Sequence, residues 1–217
     1  MQTLLKHKAS TDKQTVLALL RHGKTLWNED KRIQGRHNSA LSPGGIAQVH
    51  KWGRFLGQYT IDRIISSDLG RVKETVAIVQ KYLHDVPVEY TPILREQSWG
   101  DWEGMTFPEL HKHHEKELNR QIQSGWAFCP PGGESRREVL QRTLPLLQKT
   151  IQQFPGEQIL VVSHEGIVKS ILYHLAGRAF MPEEKKLIQK RQLHLLYDKQ
   201  GALTLGPLNI FPTDDNR

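Results

Sequence analysis

Three times in this chain a short apolar run ends in polar residues and gives way to a helix-forming pattern. This recurrence limits the fold more than any other feature. Residues 16–20 (VLALL) lead into Arg21-His22-Gly23, and residues 61–66 (IDRIIS) into Ser67-Asp68 with Arg71 one turn on. Residues 158–163 (QILVVS) lead into His164-Glu165-Gly166. Continuous apolar runs bounded by polar residues read as strands buried on both faces. Their alternation with helices predicts an α/β class: a single-domain three-layer α/β/α sandwich whose central sheet is mostly parallel. The 217 residues fit one domain, 1–217, in which 97–130 form a short cap insertion.

Local signals fill in the rest. Ser42-Pro43 is a helix entry, with Ser as cap and Pro at the first helical position. Ile46, Val49, Gly53 and Leu56 then recur at helical spacing. Asp68 is expected to cap a second helix with Val72, Val76, Val79 and Leu83 on its apolar face. Residues 88–94 read as a strand that Pro92 restricts to an edge. A long helix is expected over 134–154, kinked at Pro145, and another over 167–175, ended by Gly177. Residues 193–197 and 202–205 alternate in polarity across Gln200-Gly201 and predict a closing hairpin.

Composition excludes several classes. The single cysteine, Cys129, excludes an internal disulfide and a Cys-rich zinc module. No apolar run approaches the ~18 residues of a membrane span, and the first ten residues lack the apolar core of a secretory signal. A cytoplasmic protein without a membrane partner is expected. The net charge of +7 favours anionic ligands. Basic residues are spread along the chain, however, without the basic arm of a nucleic-acid module, so no nucleic-acid partner is expected. His111, His113 and His114 lack a convincing further ligand, so a solvated helix face is favoured over a metal site.

In open α/β sheets ligands bind at the carboxyl ends of the strands. Arg21, His22, Arg71 and His164 therefore converge on one rim, and two arginines with two histidines suit a phosphoryl group. Read singly, each is an ordinary residue. Arg71 is the exception, because a cation in the first turn of a helix opposes the helix dipole and asks for another reason to be there.

Leu20-Arg21-His22-Gly23 with Thr25, Trp27 and Asn28 resembles the signature of the histidine phosphatase superfamily, the phosphoglycerate-mutase-like fold. Further stations follow in order: Gln34-Gly35, Leu41-Ser42 with Gly45, Ser66-Ser67-Asp68-Leu69 with Arg71 and Thr75, and Leu94-Arg95-Glu96. After them come Gly100, Trp102-Glu103-Gly104, Pro131-Gly132-Gly133-Glu134-Ser135 and Val162-Ser163-His164. The resemblance implies phosphoryl transfer through a phosphohistidine on His22, with Arg21, Arg71 and His164 neutralising the phosphoryl oxygens and Glu96 as general acid and base. It implies phosphate or substrate contacts from Asn28, Gln34 and Gly35. Glu165, beside the second histidine, joins them as a substrate-facing position. Neither a metal nor another cofactor is called for. Lys24, Asn38, Ala40 and Glu165 depart from common family residues and bear on substrate preference.

The expected activity is metal-independent hydrolysis of a small phosphorylated metabolite by an enzyme of the histidine acid-phosphatase type. A cofactor-dependent phosphoglycerate-type mutase is the alternative. Mutases of the family usually carry a longer segment after the general acid, with paired arginines, whereas residues 97–129 contain only Arg120. Lys112, Lys116 and nearby histidines are the residues from which a second anionic site could be drawn. An inactive phosphate-binding scaffold is the reading from another class. A homodimer is left open.

Overall fold

Each apolar run becomes a strand whose alternate side chains feed two different cores. The computed structural model describes residues 13–212, so the first ten residues, read above for a signal, lie outside them. In chain order the elements are β1 (Val16–Arg21), α1 (Leu26–Glu29), α2 (Pro43–Leu56), β2 (Arg63–Ser67), α3 (Gly70–Gln80) and β3 (Val88–Thr91). They continue with α4 (Phe107–Ile122), α5 (Arg136–Gln153), β4 (Gln158–Ser163), α6 (Glu165–Leu175), β5 (His194–Lys199) and β6 (Ala202–Leu205). The strands form one sheet in the order β3-β2-β4-β1-β5-β6. β1, β2, β3 and β4 pair in parallel, while β5 and β6 add the antiparallel edge.

Side chains of a strand alternate between faces. Val16, Ala18 and Leu20 accordingly pack with Val49, Val72 and Val76 of α2 and α3. Leu17 and Leu19 pack with Val139, Leu147, Ile167 and Ile171 of α5 and α6. This gives the three-layer α/β/α arrangement. A smaller third cluster joins Trp102, Phe128 and the α4 residues Leu110 and Leu118, all in the expected cap segment, with Ile33 from outside it. Among the described residues, no helix is long and apolar enough to cross a membrane.

Several local expectations are corrected. Ser42 caps α2 by accepting from the Gly45 amide at 3.2 Å, but Ile46 is exposed. Asp68 does not cap α3: its carboxylate takes both arms of the Arg95 guanidinium, with Arg95 Nε at 2.7 Å from Oδ1. A charge-assisted bidentate pair outcompetes a single cap bond. The strand read over 88–94 stops at Thr91, and Pro92 begins a turn of 3₁₀ helix. α5 runs as one element with Pro145 inside it, and α6 starts two residues earlier than expected, directly after His164.

Candidate active site

β1, β2 and β4 end side by side, with Arg21 in register with Ser163. Their carboxyl ends open into a cavity of about 660 Å³ lined by Arg21, His22, Asn28, Gln34, Gly35, Arg71, Glu96 and Glu165 among others. The expected site residues thus meet in one place, save one. His164 is fully buried and stands behind Arg71 instead of lining the cavity.

His22 follows β1 and is buried. Its Nδ1 lies 2.7 Å from the Gly23 carbonyl oxygen, so Nδ1 carries the proton and donates. Its Nε2 is left as an acceptor and receives Arg71 Nε–H at 3.2 Å. Burial, reinforced by the charges of Arg21 and Arg71, holds the imidazole well below its usual pKa, hence neutral.

Arg71, in the first turn of α3, is 1% exposed. Beyond His22, its Nη1 donates to the His37 carbonyl at 2.6 Å and its Nη2 to the Gly35 carbonyl at 2.8 Å. Its backbone N–H donates to Asn38 Oδ1 at 3.0 Å. The loop 35–38 is therefore pinned by Arg71, which gives Asn38 a structural role. Gly35 takes φ +51°, and a Cβ there would fall 2.0 Å from Glu103 Oε1. Burial pulls the Arg71 guanidinium down to about 10, which leaves it charged.

His164 is oriented from both sides. Arg71 Nη2 lies 3.1 Å from its Nδ1, which must accept, so its Nε2–H donates to Ser67 Oγ at 2.9 Å. Burial and Arg71 hold it neutral too. The fixed positive charge here is thus carried by Arg21 and Arg71, and not by the histidines. The Ser67 partnership is invisible in sequence except as the polar residue that ends β2.

Arg21 forms an ion pair through Nη1 with Glu165 Oε2, and its Nη2 donates to Asn28 Oδ1 at 3.3 Å. Its Nε is buried without a hydrogen-bond partner among the described residues. Asn28 Oδ1 also accepts from the Thr25 amide at 3.3 Å, the return bond of the capping box in which Thr25 Oγ1 caps α1, and Gln34 Nε2 donates to Thr25 Oγ1. Lys24 pairs with Glu29 at 3.0 Å and does not line the cavity.

Glu96 accepts from the Gln97 amide at 2.9 Å through Oε1 and from the Gly166 amide at 3.2 Å through Oε2. Burial outweighs these donors and both arginines, so its pKa is raised above the usual carboxylate range. A Cβ on Gly166 would stand 2.5 Å from Glu96 Oε1, so only glycine leaves the carboxylate its place.

The cap segment contributes Trp99, Phe107, Leu118 and Phe128 to the cavity wall. Arg120 pairs with Glu117 on the surface, and Lys112, Lys116, His111, His113 and His114 are exposed on α4. They do not line the cavity. Sequence reasoning missed Arg136 and Lys169, which do. Both had a signal. Arg136 opens a helix against the dipole, as Arg71 does, and Lys169 follows Glu165 at i+4 on α6.

Comparisons with known proteins give the family and the fold. The family model of the histidine phosphatase superfamily (branch 1) matches residues 17–194. An uncharacterized phosphatase, PhoE, of Bacillus subtilis is 29% identical over 163 residues, 75% of this chain and 78% of that protein. Phosphoglycerate mutase-like protein 4 of Arabidopsis thaliana is 31% identical over 185 residues, 84% of this chain and 80% of that one. The solved structure of Bacillus stearothermophilus YhfR superposes with a TM-score of 0.83 at 26% identity, covering 91% of this chain and 98% of that one. The chain is a member of the histidine phosphatase superfamily.

Proposed function

We propose that this protein is a metal-independent phosphomonoester hydrolase that works through phospho-His22. The observation that carries the reading is the tautomer of His22. With Nδ1–H held by the Gly23 carbonyl, the basic lone pair is on Nε2, where it accepts Arg71 Nε–H until a phosphoryl group takes that donor. Nε2 attacks phosphorus and the ester P–O bond breaks, its electron pair going to the leaving oxygen, which takes the Glu96 proton. Water then attacks the phosphohistidine, Glu96 takes back a proton, and the P–N electron pair returns to Nε2 as phosphate leaves. Arg21 and Arg71 neutralise the equatorial oxygens, where a loose transition state carries its charge. His164 steadies Arg71 through its Nδ1 and is itself held by Ser67.

Hydrolysis is favoured over mutase chemistry because the cap brings no arginine or lysine of its own to the cavity: Arg120, Lys112 and Lys116 are exposed on α4, and Arg136 and Lys169, which do line the cavity, stand outside the cap segment. The test is phosphate release from p-nitrophenyl phosphate in EDTA by wild type and by His22→Ala. Release that the variant loses supports the reading. Wild type that releases no phosphate but interconverts phosphoglycerate isomers is a mutase, and inactivity in both assays leaves a phosphate-binding scaffold.

A further inference from the structure

The cavity has a second cationic pole that this chemistry does not use. Arg136, the first residue of α5, lays its guanidinium over the rings of Phe128 and Phe180, 4.3 and 4.6 Å from their centroids. One Nη1 bond, 2.9 Å to the Gly125 carbonyl, fixes it there. Lys169 of α6 lines the same wall, its Nζ 5.1 Å from the Tyr173 ring centroid and 5.2 Å from that of Phe180.

Neither cation is in an ion pair with a carboxylate among the described residues. The carboxylate that influences Lys169, Glu165, is held by Arg21. Burial pulls Arg136 down to about 10 and lowers Lys169, with Arg136, Lys186 and Lys190 adding repulsion. Half-buried cations without counterions are costly, and an anionic ligand group is what relieves that cost. Phe128, against which Arg136 lies, meets Trp99 at 5.3 Å between ring centroids, and Phe107, Leu118 and Ile122 line the same cavity, whose other cations are Lys31, Arg32, Lys190 and Arg191 besides Arg21 and Arg71. A volume of about 660 Å³ is also far larger than a phosphoryl group fills.

We propose that Arg136 and Lys169 form a second anion subsite, so that the substrate is a phosphomonoester bearing a second anionic group across an apolar stretch. That group is a carboxylate or a second phosphoryl group. The proposal rests on the reading of His22 as the site of phosphoryl transfer.

The test uses ω-carboxyalkyl phosphates of increasing chain length, each against its neutral methyl ester, and the corresponding alkanediol bisphosphates. At the best length the acid is expected to exceed the ester by about tenfold or more in kcat/KM, mainly through KM. Lys169→Gln and Arg136→Gln, made separately, should each reduce that ratio to about threefold or less. Lys112→Gln, on the exposed face of α4, should keep it. Preference for the bisphosphate over the carboxylate identifies the second group as phosphoryl, and the reverse identifies it as carboxylate.

Equal rates for acid and ester at every length, in a protein that hydrolyses p-nitrophenyl phosphate, overturn the subsite and leave the hydrolase standing. A ratio that survives Lys169→Gln and Arg136→Gln overturns it as well. Calorimetric binding of ω-carboxyalkyl phosphonates against their esters reads the subsite without turnover. Tighter binding of the acid by an inactive protein supports the subsite while the hydrolase reading fails.

Discussion

Glu165 holds Arg21 in an ion pair inside the cavity where, in the proposed reaction, Arg21 has to meet phosphate. A carboxylate cannot donate a hydrogen bond to a phosphate dianion, so Glu165 competes with the ligand for the guanidinium. The pair is partly exposed, which limits its strength to about 1 kcal/mol or less. Glu165→Gln should therefore tighten competitive inhibition by inorganic phosphate about three- to fivefold. Weaker inhibition instead would make Glu165 an aligning partner of Arg21 and not a competitor.

The two groups proposed to move protons have pKa values displaced in opposite directions. His22 is held below its usual value of ~6.5, so its neutral, nucleophilic form persists into mildly acidic solution. Glu96 is raised, so it keeps its proton above the usual carboxylate range. Activity on alkyl phosphates should be highest on the acid side of neutrality and fall as pH rises through the raised Glu96 value. Glu96→Gln should remove that alkaline limb and cost about 10²-fold or more on alkyl phosphates. Its cost on p-nitrophenyl phosphate, whose leaving group needs little protonation, should be about tenfold at most. Equal losses on the two substrates would take Glu96 out of the acid role.

Much of this site was legible in the sequence because its residues sit where strands end, and strand ends are local features. Arg21 closes β1 and His22 follows it, Ser67 closes β2, and His164 follows β4. What local pattern cannot supply is partnership across the chain. Asp68 reads as a cap until Arg95, 27 positions away, takes both its oxygens. His164 reads as a cavity residue until Arg71 and Ser67 are seen to enclose it. Arg136 and Lys169 stand on different helices, and only packing of α5 and α6 around Phe180 brings them to one wall.

Gly166 offers a way to move Glu96 without altering its chemistry. Its amide donates to Glu96 Oε2, and a Cβ would stand 2.5 Å from Oε1, so Gly166→Ala must displace the carboxylate. A shift of that kind is expected to cost about 10²-fold in kcat on alkyl phosphates and much less on p-nitrophenyl phosphate, with unchanged near-UV circular dichroism. Equal losses on both substrates would show that the substitution disturbs His22 or Arg71 as well.

Stability should also record the buried histidines. His22 and His164 are held well below ~6.5, and burial lowers His194, whose Nδ1 accepts from the Asn209 amide at 3.1 Å, to about 4. Each folded-state pKa lies below the unfolded value, so as pH falls below ~6.5 the unfolded chain binds protons that the folded chain does not. The sign follows: stability decreases on acidification, by up to ~1.4 kcal/mol per pH unit for each such histidine. Carboxylates held low by their partners, such as Asp68 and Glu109, add to this loss only nearer their usual range of ~4. Glu96, held high, works the other way and offsets about one histidine at most, so melting temperature should still drop between about pH 6.5 and 5, and His194→Gln should make that drop about a third to a half shallower. A flat melting temperature over that window would mean that the histidines take up protons without unfolding, and would sink the assignment of neutral buried imidazoles at the site.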